Sequence, residues 1–167
     1  MERTTSIKDT AEIGQLLIVG IGTERCGDDA AGLAVARSLH SIELPGFVKI
    51  AEFSGDGASL INVWEDAATV ILIDCVSAQT LPGTIVAIDL LHGSLPPHWQ
   101  PSTHNFGLVE AIEFGRVMGR LPASLMLYGI QGKSYEHGRG LSPEVRVGVE
   151  KVAAMIELEL LAALDRS

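Results

Sequence analysis

Two aspartates and a histidine, Asp29, Asp74 and His104, lie far apart in this chain, yet each follows a break where a parallel sheet would bring its side chain to one edge. Asp29 belongs to the glycine-rich segment Gly20-Ile21-Gly22-Thr23-Glu24-Arg25-Cys26-Gly27-Asp28-Asp29-Ala30-Ala31-Gly32. Asp74 closes the apolar run Thr69-Val70-Ile71-Leu72-Ile73-Asp74, and His104 opens Thr103-His104-Asn105-Phe106-Gly107-Leu108. Two carboxylates and an imidazole suit a borderline divalent ion such as nickel or zinc, and three protein ligands leave positions open for chemistry or for a partner's ligands. Each residue also has a plainer reading. Asp28 and Asp29 at a helix start would cap free amides and oppose the macrodipole, Asp74 would end a strand in a turn, and His104 would be a loop histidine near a helix start.

The elements that must position these residues follow from hydrophobic period and turn chemistry. Residues 16–19 are short, continuous and apolar, which predicts a buried strand running into the glycine-rich turn. A helix is predicted over 28–40, with Gly32, Val35, Ala36 and Leu39 on its buried stripe. Residues 48–53 predict a second strand, 54–57 a flexible loop, and 58–65 a short helix turning Leu60, Ile61 and Trp64 inward. Residues 69–73 predict the most central strand. The connection 74–83 is too short for a crossover helix, so a strand over 84–88 is predicted to run antiparallel to its predecessor as a hairpin. A proline-rich loop with Pro96, Pro97 and Pro101 leads to His104, followed by a helix with Leu108, Ala111, Ile112 and Gly115 on one face. Residues 124–128 predict a fifth strand. The last and longest helix has Ser142 as N-cap and Pro143 at its first position, with Val145, Val149, Val152, Ile156 and Leu160 facing inward. Together these predict a three-layer α/β/α sandwich with a mixed five-stranded sheet, one strand antiparallel.

Composition fits one domain, expected over 14–167, behind a flexible leader over 1–13. A chain of 167 residues buries roughly two-thirds of its unfolded surface. Hydrophobic residues at 47% and charged residues at 20% indicate a globular core, and a formal net charge of -9 argues against a nucleic-acid partner. Cys26 and Cys75 form no CxxC pair, and with no apolar leader they fit a reducing cytoplasm as small buried or lining residues. The apolar stretch 152–164 is broken by Glu157 and Glu159 and is too short to span a bilayer, so no membrane partner is expected.

Other chemistries fail on spacing. In Gly20-Ile21-Gly22 the third glycine of a dinucleotide fingerprint falls at Arg25, and two acidic residues follow where a pyrophosphate needs bare amides. Gly132-Lys133-Ser134 ends like a phosphate loop, but the required first glycine is Leu127. The chain has neither an H-E-x-x-H helix nor a G-x-S-x-G elbow, which removes the common zinc-protease and serine-hydrolase readings.

Taken together and in order, the three segments resemble the hydrogenase maturation endopeptidases, whose pattern is a strand, G-x-G, an acidic pair before a small residue and glycine, an aspartate ending an apolar strand, and a histidine shortly before a G-L helix start. Here these are Gly20-Ile21-Gly22-Thr23, Asp28-Asp29-Ala30-Ala31-Gly32, Ile71-Leu72-Ile73-Asp74 and Ser102-Thr103-His104-Asn105-Phe106-Gly107-Leu108, with Thr23 where the family has asparagine. The resemblance implies an endopeptidase that removes the C-terminal extension of a nickel-iron hydrogenase large-subunit precursor. It implies Asp29, Asp74 and His104 as both metal-binding and catalytic residues, with nickel carried in by the precursor and a surrogate divalent ion able to take its place. Glu52, Gly55 and Gly57, in Glu52-Phe53-Ser54-Gly55-Asp56-Gly57, stand at the loop implied to recognise substrate, and a monomer is expected. The alternative is a nonhydrolytic nickel-dependent module that binds or chaperones the precursor through the same residues.

Overall fold

Leu16–Ile21 is apolar and buried at every position, a pattern that suits a strand covered on both faces, and it forms β1. The computed structural model describes residues 14–95, 98, 100–101 and 107–165. After β1 come a 3-10 turn (Gly27–Ala30), α1 (Ala31–His40), β2 (Val48–Phe53), α2 (Gly57–Trp64) and β3 (Thr69–Ser77). The chain continues through β4 (Ile85–Asp89), a two-residue β5 (Gln100–Pro101), α3 (Leu108–Met118), β6 (Ser124–Gln131) and α4 (Pro143–Leu164). The main sheet runs β2-β1-β3-β6-β4, with β4 antiparallel to β6 and the other pairs parallel; β5 pairs antiparallel with the end of β3. This is the expected mixed five-stranded sheet, extended by one short bridge.

Two cores make the three layers. Leu17, Val19, Val70 and Leu72 pack with Leu60, Ile61 and Trp64 of α2 and Leu108 and Ile112 of α3. On the other face Leu16, Ile18, Ile71 and Ile73 pack with Val35 and Leu39 of α1 and Val145, Val149 and Ile156 of α4. The segregation follows from the period of two in the strands and the stripes of the helices.

Three expectations need correction. The predicted helix over 28–40 divides into the 3-10 turn and α1, and neither start carries a side-chain cap. The strand ending in Asp74 continues to Ser77, because β6 runs on to Gln131 and keeps pairing through Asp74↔Gly129, Cys75↔Ile130 and Val76↔Gln131. And β4, although antiparallel in direction to β3, is not its neighbour. β6 lies between them, since a parallel partner entering from α3 can cover β3 from Thr69 to Val76, whereas five-residue β4 cannot.

The order β2-β1-β3 creates a switch point: α1 leads from β1 to β2 on one face, and α2 leads from β2 to β3 on the other. Ligands in open α/β sheets bind beyond the carboxyl ends of such strands. Close packing at this edge depends on glycine. A Cβ at Gly20 of β1 would stand 2.2 Å from the Gly32 carbonyl oxygen, and one at Gly32 would stand 2.2 Å from the carbonyl oxygens of both Ile21 and Ile73. Gly32→Ala is therefore expected to lift α1 from the sheet and cost about 1–3 kcal/mol, read as a lower urea midpoint at unchanged slope.

Candidate active site at the carboxyl edge of the sheet

β1 pairs with β3 only as far as Gly20↔Ile73, then diverges into the turn that carries Asp28 and Asp29. Asp74 is the next residue on β3, where the two strands part. It is fully buried, and neither carboxylate oxygen has a hydrogen-bond partner. By alternation it shares the face of Leu72 and Val76, the face covered by α2 and α3. Burial, and next the charge of Asp29, hold the Asp74 carboxyl well above the usual carboxylate range. The Cys75 amide acts in the opposite sense but is not in hydrogen-bonding geometry. Asp29 is itself 5% exposed, and its Oδ2 accepts a 2.9 Å hydrogen bond from the Thr23 amide, which fixes the carboxylate across the glycine-rich turn. The fold thus keeps two buried carboxylates close enough to interact, an arrangement that favours neutralisation of one of them or a cation between them.

His104 lies outside the described residues, and among the described residues no group of three His, Cys, Asp or Glu side chains could hold a metal. The chain on either side of 102–106 is nevertheless anchored at this edge. Pro101 pairs with Val76, two residues beyond Asp74, and Gly107 sits against the start of α2 so closely that a Cβ on Gly57 would stand 2.3 Å from the Gly107 carbonyl oxygen.

Gly57 therefore has a packing reason to be glycine. Glu52 is exposed and held by Arg37 through contacts of 3.0 and 2.8 Å, while Gly55 is exposed beside the Phe53 ring. These three lie on β2, the loop after it and the start of α2, at the sheet edge that also carries Asp29 and Asp74.

Asp28 has a different task from its neighbour. Its buried carboxylate accepts hydrogen bonds from the Lys133, Ser134 and Ser142 amides at 2.8, 2.9 and 2.6 Å, and from Ser142 Oγ at 2.7 Å. Burial alone would raise its carboxyl, but the hydrogen bonds from Ser142, Ser134 and Lys133 together hold it below its ordinary value. Ser142 occupies the N-cap of α4 as expected, with its side chain turned to Asp28 rather than to the helix amides. The 132–142 loop is thereby fastened to the 3-10 turn, reinforced by Asp28 N–H donating to Ser134 O and Gly27 N–H to Arg139 O. Spacing in the sequence gave no sign of this brace, because its donors are backbone amides more than a hundred residues away. Nor did it show that Cys26, half-buried, would lie 3.3 Å from His137 Nδ1.

An α/β/α sandwich with an acidic pair buried at its switch point defines the class, and the comparisons with known proteins place it. The model of the hydrogenase maturation protease family matches residues 33–159. A Methanocaldococcus jannaschii protein named for the same family is 30% identical over 146 residues, 84% of this chain and 93% of its own. Among solved structures, the hydrogenase maturating endopeptidase HybD from E. coli superposes with a TM-score of 0.69 at 25% identity, covering 91% of this chain and 93% of that one. The NiFe hydrogenase maturation protease HybD from Thermococcus kodakarensis gives 0.70 at 25% identity, covering 87% and 99%. This chain belongs to the hydrogenase maturation proteases, and it is an endopeptidase that processes a hydrogenase precursor. Among the described residues no helix is long and apolar enough to cross a membrane.

Proposed function

We propose that the enzyme removes the C-terminal extension of a nickel-iron hydrogenase large-subunit precursor after nickel has been inserted, and that Asp29, Asp74 and His104 read the nickel the substrate brings. The observation that carries this reading is Asp74, a wholly buried carboxylate with two unpartnered oxygens beside a second carboxylate. Such a group costs stability in the resting fold, and a cation delivered with the substrate would supply the missing partner. The donor set of two carboxylates, with an imidazole from the segment bounded by Pro101 and Gly107, suits a borderline divalent ion and leaves room for ligands from the precursor. Once bound, the ion would supply a Lewis acid for the scissile carbonyl or for a water.

The chain's own residues do the remainder. Thr23 N–H keeps Asp29 in one orientation, so its carboxylate is ordered before substrate arrives. Burial and the charge of Asp29 hold the Asp74 carboxyl above its ordinary range, and a cation beside it would favour its charged form, which would tie tight docking to the loaded substrate. The enzyme alone would then hold metal weakly, and free nickel would not replace nickel seated in the precursor.

The test is one precursor purified with and without its inserted nickel, treated with a chelator that strips loose ions only, and weighed by mass spectrometry after incubation. Loaded precursor should lose its tail and nickel-free precursor should resist. His104→Ala and Asp29→Asn should each lower processing by about two orders of magnitude or more while leaving the circular-dichroism spectrum unchanged. Efficient trimming of the nickel-free form would indicate a peptidase with a resident metal. Saturable binding with no shortened product would indicate the nonhydrolytic module.

A further inference from the structure

Behind the 3-10 turn that carries Asp29, two open clefts of about 600 and 460 Å³ meet along Arg139, Gly140 and Leu141. The first is lined by Arg25, Gly27, Ala30, Arg37 and Arg139, with Glu24 as its one acidic residue. The second is lined by Lys133, Arg139, Ser142 and, at the start of α4, Arg146. Both volumes fall in the range of pockets that hold a compact ligand, about 300–1,000 Å³. Five cations line them, in a chain with 12 Lys and Arg against 21 Asp and Glu.

Some of these charges are already engaged. Arg37 pairs with Glu24 and Glu52, Arg139 with Glu136, and Lys133 with Glu144. All of these pairs are exposed, so each is weak enough for a competing anion to replace. Arg25 and Arg146 make no ion pair among the described residues. Arg25 also holds φ at +62°, a left-handed conformation that glycine or asparagine would adopt more easily. It is kept there by backbone pairing, in which Gly138 N–H donates to Arg25 O at 2.7 Å and, two residues on, Gly27 N–H donates to Arg139 O at 3.1 Å. The left-handed conformation thus holds Arg25 in the lining of the cleft it shares with Arg139.

We infer that this double cleft captures the free C-terminal carboxylate of the peptide tail being removed, with Arg25 and Arg139 as its principal partners. The inference rests on the proposed removal of a C-terminal extension. A planar guanidinium matches a carboxylate with two parallel hydrogen bonds, and two such groups lining one cleft favour it over a neutral end. Every uncleaved tail presents a terminal carboxylate whatever its sequence. A chain of net charge -9 disfavours an anion overall, so a cleft lined by arginines and reaching Ala30, the residue after Asp29, is where it would settle. Arg25 and Arg139 are thus specificity-determining residues that register the tail relative to the acidic pair.

The experiment uses the full protein and a synthetic peptide with the sequence of the extension, as free acid and as C-terminal amide, with binding followed by fluorescence anisotropy. The free acid should bind about tenfold more tightly, and the difference should narrow as salt is raised. In the Arg25→Gln/Arg139→Gln double variant the difference should vanish, and processing of the loaded precursor should show a KM raised about tenfold with kcat nearly kept. Arg116→Gln on α3 should behave as wild type. Equal binding of acid and amide, an acid preference that survives in the double variant, or a preference that disappears when the peptide's internal acidic side chains are replaced by amides would each overturn the inference. Failure of the wild type to shorten any loaded precursor would instead overturn the proposed reaction, since the peptide comparison does not depend on cleavage.

Discussion

Asp74→Asn is expected to yield a protein more stable than its parent and unable to process its precursor. Asparagine nearly keeps the shape but removes the ionisable group that the fold buries without a partner and places beside Asp29. The gain at pH 7 should be about 1 kcal/mol or more by urea denaturation, each pH unit by which the carboxyl is raised being worth about 1.4 kcal/mol, or about 2–4 °C in Tm per kcal/mol for a domain of this size. The pH dependence has a definite sign. The folded carboxyl lies well above its unfolded value, so folding takes up a proton, and the parent loses stability as pH rises from about 4 through the folded value. The variant lacks that loss, so its advantage should widen from acid toward neutrality. An advantage that stays constant over this interval, or a variant less stable at pH 7, would mean that the carboxylate is well partnered in the resting enzyme. Processing by the stable variant would remove Asp74 from the chemistry.

One residue from Asp29, Asp28→Ala should do the reverse and cost about 3–5 kcal/mol, because it withdraws one charged acceptor from three backbone amides and a hydroxyl at once. Asp28→Asn, which keeps one acceptor oxygen, should fall between variant and parent. Here the folded carboxyl lies below its unfolded value, so the stabilisation is fully present above about pH 4 and is lost as pH falls through the folded value. The gap between parent and alanine variant should accordingly close in acid. Amide exchange across 132–142 should quicken in the variant, and the peptide-acid preference at Arg139 should weaken with it, since that loop carries the residue. A cost below about 1 kcal/mol would show that the loop is held by other contacts.

The neighbouring aspartates show how far each source of information reaches. In sequence they are alike, two acidic residues at an apparent helix start, and a helix-capping reading applies equally to both. Only after folding does Asp28 meet amides from the far side of β6, while Asp29 turns toward Thr23 and β3. The hairpin reading of β4 failed for a related reason. Connection length fixes direction, and β4 is antiparallel as expected, but which strand fills the position beside β3 depends on competition among strands distant in the chain.

What local pattern determines by itself is the type and order of the elements, the two helical stripes that close each face, the buried glycine turn after β1, and an acidic residue at the end of an apolar run. These depend on periods of two and 3.6 residues and on turn chemistry, all legible within a few residues. What only the tertiary structure decides is that β3 continues past Asp74, that β1 parts from it at that residue, that the carboxylate is left buried and unpartnered, and that a braced loop brings Arg139 into one cleft with Arg25. Each of these is a contact between segments far apart in the chain, and its energy depends on burial and charge that exist only once the sheet has assembled.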